Sequence, residues 1–432
     1  MNLSERIESS LTPGSLALIR LVKAEAERLH LPLYIVGGSV RDLLLGSVIK
    51  DFDLTVEGDA AQLAEAVLRK YGGKMLFHSR FGTATWTLNE TTSRRLNIPN
   101  FQLSDFPPFL DLISARSETY SAPGALPTVK KSTIEDDLRR RDFTINAMAI
   151  RLDEEFFGEL FDSLNGLTDL QNKLIRFLHP KSFVDDPTRM FRAIRYSMRY
   201  QFTLEPATRQ ALFDSEARTV LSQLSGERIR HEFDLIFEEQ RAVSMLDEIA
   251  KLDLLQSIHP SLLHANSQTL TALTNEPDKE VGEFSIPEML SFRQTLSWVL
   301  YLMPIPESDI ASVAERLAFP TLLTDSVRAA SSLLNDLPSF KDRKPSQWTF
   351  HLDELPSLAV YAVWLVTSES PLRDYLTNWQ NIKPFTTGDD LKERGLEPGP
   401  KFKEILTRLR AAWLDGELKS ENEEKKLLEI FL

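Results

Sequence analysis

The stretch LYIVGGSVRDLLLGSVIKDFDLTV, residues 33–56, decides the fold. Leu33–Val36 is a short apolar, partly β-branched run that stops at Gly37-Gly38, which predicts a strand ending in a tight turn. Residues 42–45 then read as a helix with Gly46 just past its end, and residues 49–56 as a second strand. Working outward, the spacing of Leu63, Ala66 and Val67 predicts a helix over 59–70. Residues 83–88 and 111–115 read as further strands, followed by a Pro- and Gly-bearing loop through Pro127. Together these predict a small mixed-sheet unit ending near Ile150. From Pro180 onward helical spacing dominates, with prolines such as Pro187, Pro206, Pro320 and Pro356 punctuating it. The expected fold class is therefore α+β, a mixed-sheet domain followed by an all-helical remainder. No internal period supports a solenoid.

Composition narrows the function. A chain of 432 residues calls for several packed units, and 42 % apolar with 26 % charged residues is ordinary for a globular protein. The longest apolar run, residues 358–366, has nine residues, against the roughly 20 that a bilayer span needs, so no membrane partner is expected. The first ten residues hold no apolar signal core. Zero cysteines exclude disulfides, thiolate zinc sites and a catalytic thiol, and the expected compartment is the cytoplasm. A net charge of −13 argues against indiscriminate adhesion to nucleic acid, so a polyanion must be met by a local basic face.

Several residues carry chemistry. On a strand Asp51 and Asp53 project to one face, about 7 Å apart along the chain, a ready ligand pair for Mg²⁺. Alone, such a pair is more often a solvated turn or cap. Upstream, Gly37 and Gly38 lack a Cβ at a strand-to-helix junction, where backbone N–H groups can approach a triphosphate and Arg41 adds charge. Asp111 opens an apolar segment and completes a metal site if its strand lies beside the first pair; otherwise it is a strand-edge acid. In a two-metal mechanism such ions activate an attacking hydroxyl and stabilise departing pyrophosphate. Arg139-Arg140-Arg141-Asp142 with Asn146 combines phosphate-binding cations with groups that can hold a ribose hydroxyl or fix an arginine, or else it is a basic surface.

The segment from Asp185 to Arg199 is the most informative. On a helical wheel Met190, Phe191, Ile194 and Met198 form a core stripe, while Arg189, Arg192, Arg195 and Arg199 join Asp185 and Asp186 on the remaining face. An Asp and an Arg three apart can read a base edge. The carboxylate accepts from the amino group of cytosine or adenine, and the guanidinium donates to the neighbouring ring nitrogen. Uracil and guanine present the reverse pattern and leave buried groups unpaired, at roughly 1 to 3 kcal/mol each. Asp186 with Arg189 is thus a protein template for CTP and ATP, or an intrahelical ion pair. Glu227 and Arg230 can buttress that helix or simply begin another. The seven histidines show no ligand spacing.

Taken in order, Gly37-Gly38-Ser39-Val40-Arg41-Asp42 with Asp51-Phe52-Asp53, Arg140-Arg141-Asp142-Phe143-Thr144-Ile145-Asn146-Ala147, Asn165 to Leu170, Asp185-Asp186-Pro187-Thr188-Arg189 and Glu227 to Arg230 resemble the class II tRNA nucleotidyltransferases. These are the CCA-adding enzymes of the polymerase-β-like superfamily, which also includes bacterial poly(A) polymerase. Asp185 stands where many members carry Glu. The resemblance implies nucleotide contacts by Gly38, Arg41, Arg141, Asp186, Arg189, Arg192 and Arg195, with Mg²⁺ on Asp51 and Asp53. It implies a catalytic head over 1–150, a neck with the nucleotide-reading helix over 151–240, a helical body over 241–380 and a tRNA-binding tail over 381–432, arranged in a curve. The implied reaction adds CMP and AMP from CTP and ATP to the tRNA 3′ end. A CC-adding or A-adding specialist, a poly(A) polymerase and an inactive RNA-binding protein are the alternatives. Residues 114–132 are the candidate for the mobile loop that, in this family, helps switch from C to A.

Overall fold

Leu33, Tyr34, Ile35 and Val36 are all buried, as a strand covered on both faces requires. In the computed structural model, which describes residues 1–47, 49, 52–78, 82–90, 92, 106–273 and 284–431, the chain divides into two compact units, Met1–Gln223 and Leu224–Leu432.

The first unit runs α1 (Ser4–Ser10), α2 (Pro13–Arg28), β1 (Leu33–Val36), α3 (Gly38–Leu44), β2 (Asp53–Val56), α4 (Ala60–Tyr71), β3 (Lys74–His78), β4 (Thr83–Thr87), β5 (Phe109–Ser114), β6 (Arg116–Thr119) and β7 (Thr128–Lys131). It continues with α5 (Ile134–Arg139), β8 (Ala149–Arg151), β9 (Leu160–Phe161), α6 (Gly166–Gln171), β10 (Leu174–Ile175), α7 (Ser182–Asp185), α8 (Thr188–Tyr200), β11 (Thr203–Leu204), α9 (Pro206–Ala211) and α10 (Ser215–Gln223). Its main sheet has the order β3-β4-β5-β2-β1-β8-β9. β2 and β5 pair in parallel, with Asp53 opposite Asp111, while β1 is antiparallel to both β2 and β8. One end of the sheet therefore collects the exit of β1 at Gly37, the entry of β2 at Asp53, Asp111 near the start of β5 and the residues just before β8. Tyr34, Val36, Ala147 and Ala149 pack there against Ile134 and Leu138 of α5.

The α+β class holds, and several local expectations do not. Helix α3 begins at Gly38, four residues before the expected 42, because Gly37 at φ +70° turns the chain straight into it. β2 begins at Asp53 rather than 49, and Asp51 lies outside the described residues. The 114–132 loop is a hairpin, registered from Arg116↔Lys131 to Thr119↔Thr128. Its strands are half-exposed and charged, so they show no apolar alternation. The sheet also runs past 150, with β9 pairing β8, and β11 pairs β10 beyond Pro180.

In the second unit, α11 (Gly226–Phe237), α12 (Ala242–Lys251), α13 (Leu254–Ile258), α14 (Phe292–Leu302), α15 (Glu307–Arg316), α16 (Thr321–Asp336), α17 (Pro345–Leu352), α18 (Ser357–Thr367), α19 (Ser370–Thr377), α20 (Gly388–Glu393), α21 (Pro400–Leu414) and α22 (Glu421–Glu429) follow one another. Prolines start these helices: Pro306, Pro320 and Pro356 stand immediately before α15, α16 and α18, where a missing N–H costs nothing. Trp298 is the centre of its core, stacked on Phe233 and edge-on to Phe237 and Phe319. Its indole N–H is satisfied by Asp234 at 2.6 Å. The last three helices share their own cluster, Leu391, Ile405, Leu409 and Leu428.

Gly226 opens α11 against the end of α15. A Cβ there would meet the Arg316 carbonyl oxygen at 2.3 Å and the Leu317 carbonyl carbon at 2.8 Å, both backbone atoms that cannot step aside cheaply. Gly226→Ala is expected to destabilise the second unit by about 1–3 kcal/mol, visible as a melting transition lowered by roughly 2–10 °C. Gly399→Ala, whose Cβ would have its nearest neighbour at 3.9 Å, is the control expected to melt with the wild type.

Candidate active site

The site grows from the turn between β1 and α3. Gly37 has φ +70°, and a Cβ on it would lie 2.3 Å from Nη1 of Arg141. The positive φ favours glycine here, and its bareness lets the Arg141 guanidinium lie directly over the turn. Its N–H is bonded to the Met148 carbonyl at 3.0 Å, which ties the turn to the approach of β8. Gly38 begins α3 against its own Arg41.

A chain of polar contacts runs from this turn to α8. Arg41 is buried; it donates to both carboxylate oxygens of Asp42, at 2.9 and 3.0 Å, and to Oδ1 of Asn146. Asn146 in turn donates to Oδ1 of Asp142 at 2.9 Å. Arg192 donates to Oδ2 of Asp142 from Nε at 2.8 Å and Nη2 at 2.6 Å. Burial raises the Asp142 pKa, but Arg192, the Asn146 amide and Arg189 outweigh it and hold the carboxyl down to about 2. The ring of Tyr196 is shared by the guanidiniums of Arg41, Arg192 and Arg195, 5.3, 5.4 and 5.2 Å from its centroid. Tyr200 stacks on Arg41 at 4.6 Å and reaches Asp42 with its hydroxyl.

Asp186 and Arg189 need a correction. The chain does not run as one helix from Asp185: α7 ends there, Asp186 is extended at φ −141°, and α8 starts at Thr188. Pro187 is the cause, since it lacks an N–H and pushes the preceding residue out of the helical region. Oδ1 of Asp186 accepts from the N–H and the hydroxyl of Thr188, at 3.1 and 2.7 Å. Arg189, also buried, donates to the Ser182 hydroxyl and to the Arg140 carbonyl, both at 2.8 Å. The arginine face, read as one that meets a ligand, is largely packed, with Arg189 and Arg195 only 6 % and 5 % exposed.

The acids lie on the neighbouring strands. Asp53 and Asp111 are register partners on parallel strands, so both leave the same face of the sheet, about 4.8 Å apart at the backbone. Thr85, opposite Asp111 on β4, donates its hydroxyl to that carboxylate at 2.5 Å. Glu227 and Arg230 belong to the second unit, where Arg230 donates to the Ala318 carbonyl.

The sequence reading passes over Asp137 and Thr85, and it places Glu118 and Tyr120 only in the 114–132 loop and Tyr196 only on the arginine face, with no role for any of them. Asp137 accepts from Arg140 and Arg141, and Glu118 of the hairpin accepts from Arg140 at 2.9 Å and from the Tyr120 hydroxyl at 3.1 Å. Burial pushes the Tyr120 hydroxyl up to about 12, with Glu118 and Asp186 adding to the rise and Arg189 opposing it. The Asp137 pairs, three and four residues apart, were legible as helical neighbours. The hairpin contacts had no local signal.

Comparison with known proteins fits this geometry. Residues 33–176 match the family described as "Poly A polymerase head domain", and residues 201–265 match "Probable RNA and SrmB- binding site of polymerase A". An A-adding tRNA nucleotidyltransferase of Geobacter sulfurreducens is 34 % identical over 430 residues, 96 % of this chain and 46 % of that protein. One from Halalkalibacterium halodurans is 33 % identical over 429 residues, 98 % of this chain and 94 % of that protein. The chain thus spans about half the length of the first relative and nearly all of the second. Among solved structures, the apo form II of a CCA-adding enzyme superposes with a TM-score of 0.81 at 28 % identity, covering 100 % of this chain and 99 % of that one. The Thermotoga maritima CCA-adding enzyme complexed with tRNA gives 0.72 at 27 % identity, over 100 % and 98 %.

The Asp142 carboxyl makes a pH prediction. A carboxyl lowered on folding adds stability that is complete above its unfolded value, near 3.8, and is lost as pH falls through the folded value of about 2. The contribution is about 2 kcal/mol. Asp142→Asn is expected to flatten the fall of the first unit's urea midpoint between pH 4 and pH 2, relative to wild type.

Proposed function

The chain belongs to the tRNA nucleotidyltransferase and poly(A) polymerase family, and from that membership we propose that it adds AMP from ATP to the 3′ end of tRNA ending in CC, releasing pyrophosphate. The observation that carries the chemistry is the guanidinium of Arg141 over the bare Gly37 turn, at the same sheet end as the Asp53 and Asp111 register pair. The two relatives named A-adding, at 34 % and 33 % identity, support the choice of A. Addition of CMP from CTP as well, giving full CCA, is the second reading, supported by the 0.81 superposition on a CCA-adding enzyme along the whole chain.

In this reading the terminal ribose hydroxyl of tRNA attacks the α-phosphate; the new P–O bond forms as the bond to pyrophosphate breaks. Asp53 and Asp111 offer hard carboxylate oxygens on one face, a donor set that fits Mg²⁺, and Asp51, outside the described residues, is proposed to join them. When bound there, Mg²⁺ lowers the cost of the attacking alkoxide and of charge on the leaving group. Arg141 and the N–H groups at Gly37 and Gly38 hold the triphosphate. Arg189, fixed by Ser182 and the Arg140 carbonyl, donates to the ring nitrogen of the base, and Asp186 accepts from its amino group. Arg192 and Arg195 add positive charge. Asn146 and Asp142 set the nucleotide's sugar side, and Arg41, whose donors go to Asp42 and Asn146, acts by backing Asn146.

The proposed head runs to Phe161, the neck to 240, the body over 241–380 and the tRNA-binding tail over 381–432, and the proposed compartment is the cytoplasm. Among the described residues no helix is long and apolar enough to cross a membrane.

Purified protein is to be given tRNA ending before CCA, in C or in CC, with CTP or ATP separately. AMP incorporation onto tRNA ending in CC alone is expected; CMP incorporation onto the shorter ends selects the second reading, and AMP chains on unrelated RNAs overturn both. Chelation should stop transfer and Mg²⁺ restore it. Asp53→Ala is expected to abolish transfer while tRNA still binds. Arg189→Ala should narrow the preference for ATP over GTP by roughly tenfold or more, the value of one unpaired buried group.

A further inference from the structure

Asp137 is 0 % exposed and sits between the two arginines that the proposed site depends on. Its Oδ1 accepts from Nε and Nη2 of Arg140 at 3.0 and 2.7 Å, and from the backbone N–H of Arg116 at 3.3 Å. Its Oδ2 accepts from Nε and Nη2 of Arg141 at 3.3 and 2.9 Å. One carboxylate thus fills both lone-pair sides with guanidinium forks.

What those arginines do next gives the acid its reach. Arg141 extends its remaining nitrogen, Nη1, over Gly37, where even a methyl group would collide with it. Arg140 extends Nη1 to Glu118 of the β6–β7 hairpin, and its carbonyl is the acceptor that anchors Arg189. A buried carboxylate is an expensive way to hold a helix in place when apolar packing would do, whereas it is an economical way to fix two planar cations at set angles.

We propose that Asp137 is a positioning residue for nucleotide transfer: by clasping the Arg141 guanidinium it aims the group that grips the triphosphate, and by clasping the Arg140 guanidinium it holds in place residue 140, whose backbone carbonyl anchors the base-reading Arg189. This rests on the reading of the site given above. Asp137 touches no substrate itself; its effect passes entirely through the two guanidiniums.

The test is a double-mutant cycle on the full chain, with KM for ATP and kcat measured on tRNA ending in CC, and tRNA affinity and melting temperature alongside. Asp137→Asn keeps the shape but turns an NH₂ toward one guanidinium. It is expected to raise KM for ATP roughly tenfold or more, the usual cost of losing a supporting partner, with tRNA affinity unchanged and kcat affected less. Asp137→Asn combined with Arg141→Gln should raise KM by clearly less than the product of the two single effects, because the Arg141 branch is already lost. Unchanged KM in Asp137→Asn, or effects that simply multiply in the double variant, overturn the proposal. Should Asp137→Asn not fold, Arg140→Gln, which releases one half of the clasp, is scored on the same split, and a normal KM and normal ATP-over-GTP preference there overturn it equally. Wild-type protein that transfers nothing to any tRNA would instead sink the proposed function and is told apart by that result alone.

Discussion

The Asp142 carboxylate, buried and negative, constrains everything around it. A charge removed from water must be met by fixed partners or it unfolds its surroundings, and the partners here come from separate parts of the chain. Arg192 arrives from α8 and Asn146 from the approach to β8. Asn146 then meets Arg41 of α3. Satisfying one acid therefore locks a helix, a strand entry and the glycine turn into one arrangement.

The sheet topology supplies the other half. Among the described strands of the main sheet, β2 and β5 are the parallel pair, and parallel register puts equivalent residues side by side with their side chains on one face. Asp53 and Asp111 are neighbours for that reason, although they are distant in sequence. Local reading could place each on a strand; only the pairing of strands makes them a pair.

This marks where the sequence was legible. Gly37-Gly38, Arg141, Asp142, Asn146 and the arginines of α8 stand out by residue type and spacing, because glycine turns and helical periodicity are local properties. Pro187 is among the prolines that punctuate the helical part, yet one wheel drawn from Asp185 to Arg199 carries Asp185 and Asp186 across it, where proline chemistry disfavours a continuous helix. The hairpin over 116–131 was missed because its strands bury little and alternate weakly. Glu118 and Thr85 were beyond reach, since each gains meaning only from a cross-strand or cross-loop partner. The burial of Arg189 and Arg195 was also illegible: guanidiniums on a helix face look solvent-bound until the facing segment is known.

Tyr196 carries one more implication. Its ring borders three guanidiniums at little more than 5 Å each, two of which also meet carboxylates, Arg41 at Asp42 and Arg192 at Asp142, so ring and acids share the task of holding like charges together. In the proposed function a triphosphate held beside this cluster adds further negative charge to it, so the ligand that binds there also braces helix α8 against the sheet. Occupancy and local rigidity are then two faces of a single electrostatic balance, and by mass action whatever fills the pocket also guards the fold.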